Sequence, residues 1–232
     1  MNRILSFVTA ISLANAISVG DAQGATILID WSSTLSISTD TDGKKWNSIG
    51  INSANNGDLT NAALIDSTGA ATQVTVTVDT AAGNPSGWGN FTAATGPDPY
   101  DESDVYGDAL FNGTITPLPI TFNGLFANTQ YTFTAISRRD TNGRDGKITI
   151  TTGTSNDLGT GVLSLNGNVL TFTATSNTQG IIALGFAENT DGAGGAVING
   201  MTVTGTFPVP EPSSAALLAL GSLGLLLRRR AN

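Results

Sequence analysis

Five carboxylates, Asp98, Asp101, Glu102, Asp104 and Asp108, fall within eleven residues beside Pro97 and Pro99. Prolines so placed keep the chain out of helix and central strand, so these carboxylates are expected on a loop. Hard oxygen ligands on a loop suit Ca²⁺, and these five are the candidate calcium ligands. Their spacing is not that of an EF-hand, and an acidic loop also serves simply to keep a surface solvated. Asp40 and Asp42 beside Gly43 form a smaller second candidate. Two carboxylates held across a cleft can also hydrolyse glycosides, which keeps a carboxylate-based hydrolase among the alternatives. Trp88 lies in the glycine-rich stretch of residues 83–90, where little surrounds an indole. Flat rings stack on sugars, so Trp88, with Tyr100 and Tyr106, is the candidate ligand platform, packing over the end of the fold being the plainer role. Trp31 and Trp46 adjoin strand-like runs and are expected to be buried.

What is missing narrows the chemistry further. Among 232 residues there is no cysteine and no histidine. That excludes disulfides, thiolate or imidazole metal sites, Ser-His-Asp triads and Cys-His pairs. Gly107, Asp108, Ala109 and Leu110 mimic the Gly-Asp-Ser-Leu nucleophile block of certain esterases, but Ala109 has no hydroxyl, so the segment reads as a turn entering a strand. No catalytic residue is assigned, and the expectation is a protein that is not an enzyme. Ten basic residues against eighteen acidic give a net charge of -8, which repels phosphate backbones and leaves nucleic-acid binding unsupported. Arg138, Arg139 and Arg144 stand near Asp140 and Asp145 and read as local ion pairs.

The two ends read as addresses. Met1, Asn2 and Arg3 precede an apolar stretch over residues 4–19, and Ala22, Gln23, Gly24 offer a small-residue cleavage pattern before Ala25, with an earlier alternative at Ala14, Asn15, Ala16. Residues 1–24 are therefore expected to be a signal peptide, helical while in the membrane. At the other end, Val209, Pro210, Glu211 and Pro212 precede the uncharged residues 213–227 and then Arg228, Arg229 and Arg230. Fifteen residues make a helix about 22 Å long against a hydrocarbon layer of roughly 30 Å, a short span that needs thinning or snorkelling arginines. The three arginines favour a cytoplasmic C-terminus, leaving the body outside, as the export signal requires.

Those three ordered elements resemble the PEP-CTERM sorting signal of bacterial envelope proteins, over roughly residues 208–232 with the motif at 209–214. The resemblance implies handling by exosortase, a membrane enzyme acting near the motif, so that Val209, Pro210, Glu211 and Pro212 would be recognised residues. It also implies an exopolysaccharide or biofilm setting. The two prolines keep the motif extended, as an enzyme groove requires.

Between the ends, residues 25–207 carry six basic and sixteen acidic side chains, net -10. At 40% hydrophobic the chain is too apolar to stay disordered. Period-two runs at residues 25–30, 73–79, 118–122, 131–136 and 147–151, and further apolar runs at 161–165, 169–175, 180–186 and 196–206, are separated by Gly, Asn, Asp and Ser. No stretch has helical periodicity with caps. The expected fold is all-β, nine to eleven strands in a two-layer antiparallel β-sandwich of jelly-roll type, with a closed barrel as alternative. Asn142-Gly143, Asp145-Gly146 and Asn166-Gly167-Asn168 read as hairpin signals.

Trp46 to Ile49, Ala63 to Thr68, Gly107 to Phe111, Phe122 to Leu125, Tyr131 to Phe133, Ser137, Arg138 and Ala196 to Gly200 together resemble a bacterial extracellular β-sandwich family, found alone or beside hydrolases and carbohydrate-binding modules. The expected protein is thus an exported, non-enzymatic envelope or matrix protein, structural or adhesive, anchored at least transiently in the inner membrane. Its expected partners are exosortase, the membrane and exopolysaccharide. A carbohydrate-binding module is the first alternative.

Overall fold

Strand β5, Ala71–Val78, shows how the pattern becomes structure: Thr72, Val74, Val76 and Val78 are buried while Ala71 and Gln73 face out. The side-chain period of two puts all four on one face, and that face needs a second layer to cover it. A computed structural model describes residues 23–32, 35–50, 59–80, 85–88, 109–137, 145–154, 161–164, 168–189 and 194–210. Every element among them is a strand: β1 Gln23–Ser32, β2 Ser36–Thr39, β3 Lys45–Gly50, β4 Leu59–Ile65, β5, β6 Pro85–Trp88, β7 Ala109–Asn112, β8 Leu118–Asn123, β9 Gln130–Ser137, β10 Asp145–Thr152, β11 Gly161–Ser164, β12 Asn168–Thr175, β13 Ile182–Glu188, β14 Ala196–Ile198 and β15 Gly200–Phe207.

Two six-stranded sheets face each other, in the orders β12-β9-β15-β1-β3-β2 and β11-β10-β13-β8-β5-β4, and a three-stranded sheet, β14-β7-β6, adds Leu110, Ala196 and Ile198 to the same buried cluster. The core lies between the large sheets. Ile27, Ile29, Phe133, Phe172 and Val203 come from the first, Val74, Val76, Ile120, Phe122, Ile148 and Leu184 from the second, in one buried cluster. Phe122 meets Phe133 edge-on across the gap, ring centroids 5.4 Å apart, and Phe133 stacks on Phe172 at 5.2 Å. Such pairs add roughly 0.5–1.5 kcal/mol each beyond the area they bury.

The all-β, two-layer expectation holds, with corrections in detail. The sandwich is not wholly antiparallel: β1 and β3 pair in parallel, Leu28 beside Trp46 through Ser32 beside Gly50. The hairpin signals join no hairpins. β9 and β10, which flank Asn142-Gly143, belong to different sheets, as do β11 and β12, which flank Asn166-Gly167-Asn168. Long-range pairing decides the layer of each strand instead of the local turn signal: β10 pairs with β13 and β12 with β9. The run at 196–206 is two strands broken at Asn199. The expected strand count falls short because short strands lack a readable period. β2 is a polar edge strand, and the inner four residues of β3, Trp46 to Ile49, are all buried. The expected terminal helices lie outside the described residues.

Candidate functional site

The C-terminal segment leaves the body at a built exit. β15 is a central strand, held by β1 on one side and β9 on the other. Its last residue, Phe207, pairs with Gln23, the first of β1, so both ends of the described chain emerge at one pole. Beyond Phe207, Pro208 is buried, Val209 half-buried and Pro210 exposed. Gln73 of β5 holds this short stretch twice: its backbone amide donates to the Pro208 carbonyl at 2.8 Å, and its side-chain Nε2 donates to the Val209 carbonyl at 2.9 Å. The slot exists because β8 stops at Asn123. Gly124 turns away at φ +76° with its Cα against the Gln73 carbonyl, where no Cβ fits, and the Gln73 amide is left facing the departing strand.

Tyr131 closes the same pole. Its hydroxyl donates to Thr206 and accepts from Phe126, and its ring stacks on Phe207 at 5.5 Å. Burial raises its pKa above the ordinary tyrosine value of 10.0, with the Phe126 hydrogen bond pulling the other way. Ser176 adds a third tie, donating to Phe126 O at 2.5 Å and accepting from the Thr129 amide at 3.1 Å.

Residues singled out in the sequence fall differently. Val209 and Pro210 are at the exit, while Glu211, Pro212, Arg228, Arg229 and Arg230 lie outside the described residues. So do Tyr100, Tyr106, Asp98, Asp101, Glu102, Asp104, Asp108, Arg138, Arg139 and Arg144. For Trp88 the backbone alone is described, paired with Ala109. Residues 89–108, which carry the two tyrosines and the five carboxylates, are thus tethered at a base formed by that pair. The three-stranded sheet holding the base joins β15 through Asn199, whose carbonyl accepts from the Trp31 amide where β1 ends. That is the pole opposite the exit.

Asp40, Asp42 and Gly43 form the β2–β3 turn. Asp40 accepts from the Lys44 amide at 2.7 Å and from Trp46 Nε1 at 2.9 Å, and Asp42 pairs with Lys44 Nζ at 3.1 Å. Each Asp40 oxygen accepts one hydrogen bond and an ammonium stands beside Asp42, so the cluster serves as a turn cap and an ion pair. Among the described residues no three acidic side chains group as metal ligands. Trp31 and Trp46 are buried, each 1% exposed, as expected. A cavity of about 450 Å³ opens between β2, β3 and β4, lined by Leu35, Ser36, Ile37, Asn47, Ile49, Ala62 and Ala63. Its one amide, Asn47, is fully used: Nδ2 donates to Leu28 O and Ile65 O, and Oδ1 accepts from the Ile65 amide. It offers apolar walls and a seam between sheets.

Gln73 was not legible as functional. It sits at an outward position of an alternating strand, and its partners lie 135 and 136 residues away.

The described residues thus form an all-β body whose last strand leads into the proline-bearing stretch Pro208 to Pro210. Residues 208–230 match the PEP-CTERM protein-sorting motif, which marks the chain as an exosortase substrate. No curated protein matches the chain. Among solved structures it is similar to one described as the crystal structure of the plant receptor-like kinase FER. Identity is 14% with a TM-score of 0.44, over 81% of this chain and 43% of that one, so the chain spans less than half of that protein's length.

Proposed function

We propose that this protein is a non-enzymatic display module of the cell envelope, delivered by a signal peptide, held transiently by its C-terminal helix with the arginines in the cytoplasm, and handed on by exosortase. The observation that carries this is the pairing of Ala25, where the exported body begins, with Gly205, three residues before Pro208. It places the segment after the signal peptide and the segment before the sorting motif side by side, so a body tethered by either end stands on the same pole. The opposite pole, bearing the base of residues 89–108, then faces outward into exopolysaccharide, where a structural or adhesive role belongs.

One observation favours a second reading, a carbohydrate-binding module. Trp88, of the candidate ligand platform, pairs with Ala109 at the outward pole, where a ligand would be met first. Affinity electrophoresis on a panel of polysaccharides separates the two. Retardation abolished by Trp88→Ala supports binding, and unretarded migration across the panel supports a structural role. Fractionation tests the common premise, which fails if the intact chain, both termini uncut, is found in the cytosol.

A further inference from the structure

We propose that Gln73 is a positioning residue for the sorting reaction: it clips Pro208 and Val209 to the folded body, and processing waits for the clip to open. This rests on the exosortase reading above. The stretch is short and its exposure rises residue by residue, from buried Pro208 to exposed Pro210. Pro208 can accept a hydrogen bond but has no amide with which to continue a ladder. One backbone bond from Gln73 is therefore followed by a bond from its own side chain, which carries the grip one residue further and ends it just before the motif.

The competition is for two carbonyls. An enzyme that binds an extended substrate pairs with main-chain groups flanking the scissile region. Upstream of Pro210 those groups are the Val209 and Pro208 carbonyls, both already bonded to Gln73. Apparent affinity for the substrate falls by the fraction of molecules in which the clip is open. The device thus couples tail recognition to the state of the body, since Gln73 sits in a strand whose alternate residues, Val74 and Val76, are core. It also keeps the chain at the pole until the enzyme arrives.

The test uses the full chain, tagged after Asn232, in an exosortase-containing host and in its exosortase-deletion strain. Processing hydrolyses one peptide bond beyond Val209, leaving a carboxylate on the body and an amine on the tail, and is followed as loss of the tag from the body. Gln73→Glu keeps the shape but presents an acceptor where a donor is needed. It and Gln73→Ala are expected to process about two- to five-fold faster than the wild type, the order of one partly exposed hydrogen bond. A Gly-Ser-Gly-Ser insertion between Val209 and Pro210 supplies slack, and in that background Gln73→Ala is expected to add nothing. A purely structural role for Gln73 would leave its effect unchanged by the insertion, and that result, or equal rates for wild type and Gln73→Glu, overturns the clip. Failure of wild type and insertion variant alike to lose the tag in the exosortase-containing host overturns the sorting reading, and the clip with it.

Discussion

The hydroxyl of Tyr131 donates to the carbonyl of Thr206 and accepts from the amide of Phe126, each at 3.0 Å. One side chain of β9 thereby fastens the last turn-side residues of β8–β9 to the end of β15, one residue before the chain turns toward its tail. Because β15 runs between β1 and β9, a pull on the tail loads two ladders along their length instead of peeling an edge strand.

Replacing this hydroxyl tests the fastening. Tyr131→Phe leaves the Phe126 amide and Thr206 carbonyl without that partner, and is expected to cost about 1–3 kcal/mol in urea denaturation. It should also alter the pH dependence. With the folded pKa raised by burial, the unfolded state loses its phenolic proton first. The associated stability is present below about pH 10 and declines as pH rises through the folded value. The alkaline decline of the wild type is therefore expected to be steeper than that of Tyr131→Phe. Parallel profiles would show that Tyr131 titrates alike in both states.

Gly205 lies beneath the same ring. A Cβ there would stand 2.5 Å from Tyr131 Cδ1 and 2.9 Å from Cε1, closer than carbon atoms approach. Gly205→Ala is expected to destabilise by about 1–3 kcal/mol, because the ring must leave its stack on Phe207. Combined with Tyr131→Leu, which removes the clash, the alanine should cost much less than it does alone. Additive losses in a double-mutant cycle would place the strain elsewhere.

The layers were legible because their strands alternate cleanly. Val74, Val76 and Val78, Ile120 and Phe122, and Tyr131, Phe133 and Ala135 each line one face, and three such faces cannot all be covered within one sheet. The connections were not legible. Asn-Gly and Asp-Gly report a local willingness to turn, while the choice of neighbouring strand is decided by long-range pairing that composition does not carry. The parallel β1–β3 pair escaped for a related reason: the alternation over residues 25–30 marks a strand, but with Leu28 and Ile29 both buried it names neither the partner nor the direction of pairing. The sorting motif was legible because its chemistry is contiguous. The clip that holds it was not, since Gln73 and Val209 meet only through the fold.

Asn47 tests how the two layers are sewn together. Buried at 3% exposure, it reaches from β3 of one sheet to Ile65 in β4 of the other while also bonding Leu28. Asn47→Ala leaves two carbonyls and one amide without this partner, and is expected to cost about 2–4 kcal/mol. Asn47→Asp retains the acceptor and loses both donations, so it should rescue little. A loss below about 0.5 kcal/mol in both, within the range of ordinary surface changes, would show that the seam is held by packing alone.

The display geometry is open to a labelling experiment that the absence of cysteine makes clean. Ala127, in the β8–β9 turn, is exposed at the exit pole, and Leu35, 64% exposed, precedes the opposite end of β2. From Pro210 to Ala215 an extended chain spans only about 15 Å at roughly 3.1 Å per residue. On the proposed anchoring, the exit pole must therefore hug the lipid surface for as long as the tail is held in the membrane. In spheroplasts retaining the anchored form, Ala127→Cys is expected to react more slowly with a bulky polymer maleimide than Leu35→Cys, while a small impermeant maleimide labels both. Release of the tail should remove the difference, because nothing then holds that pole down. Equal polymer labelling in the anchored form would mean that the body is tethered by a longer leash than Phe207 and Gln73 allow, and that the paired ends do not set its orientation.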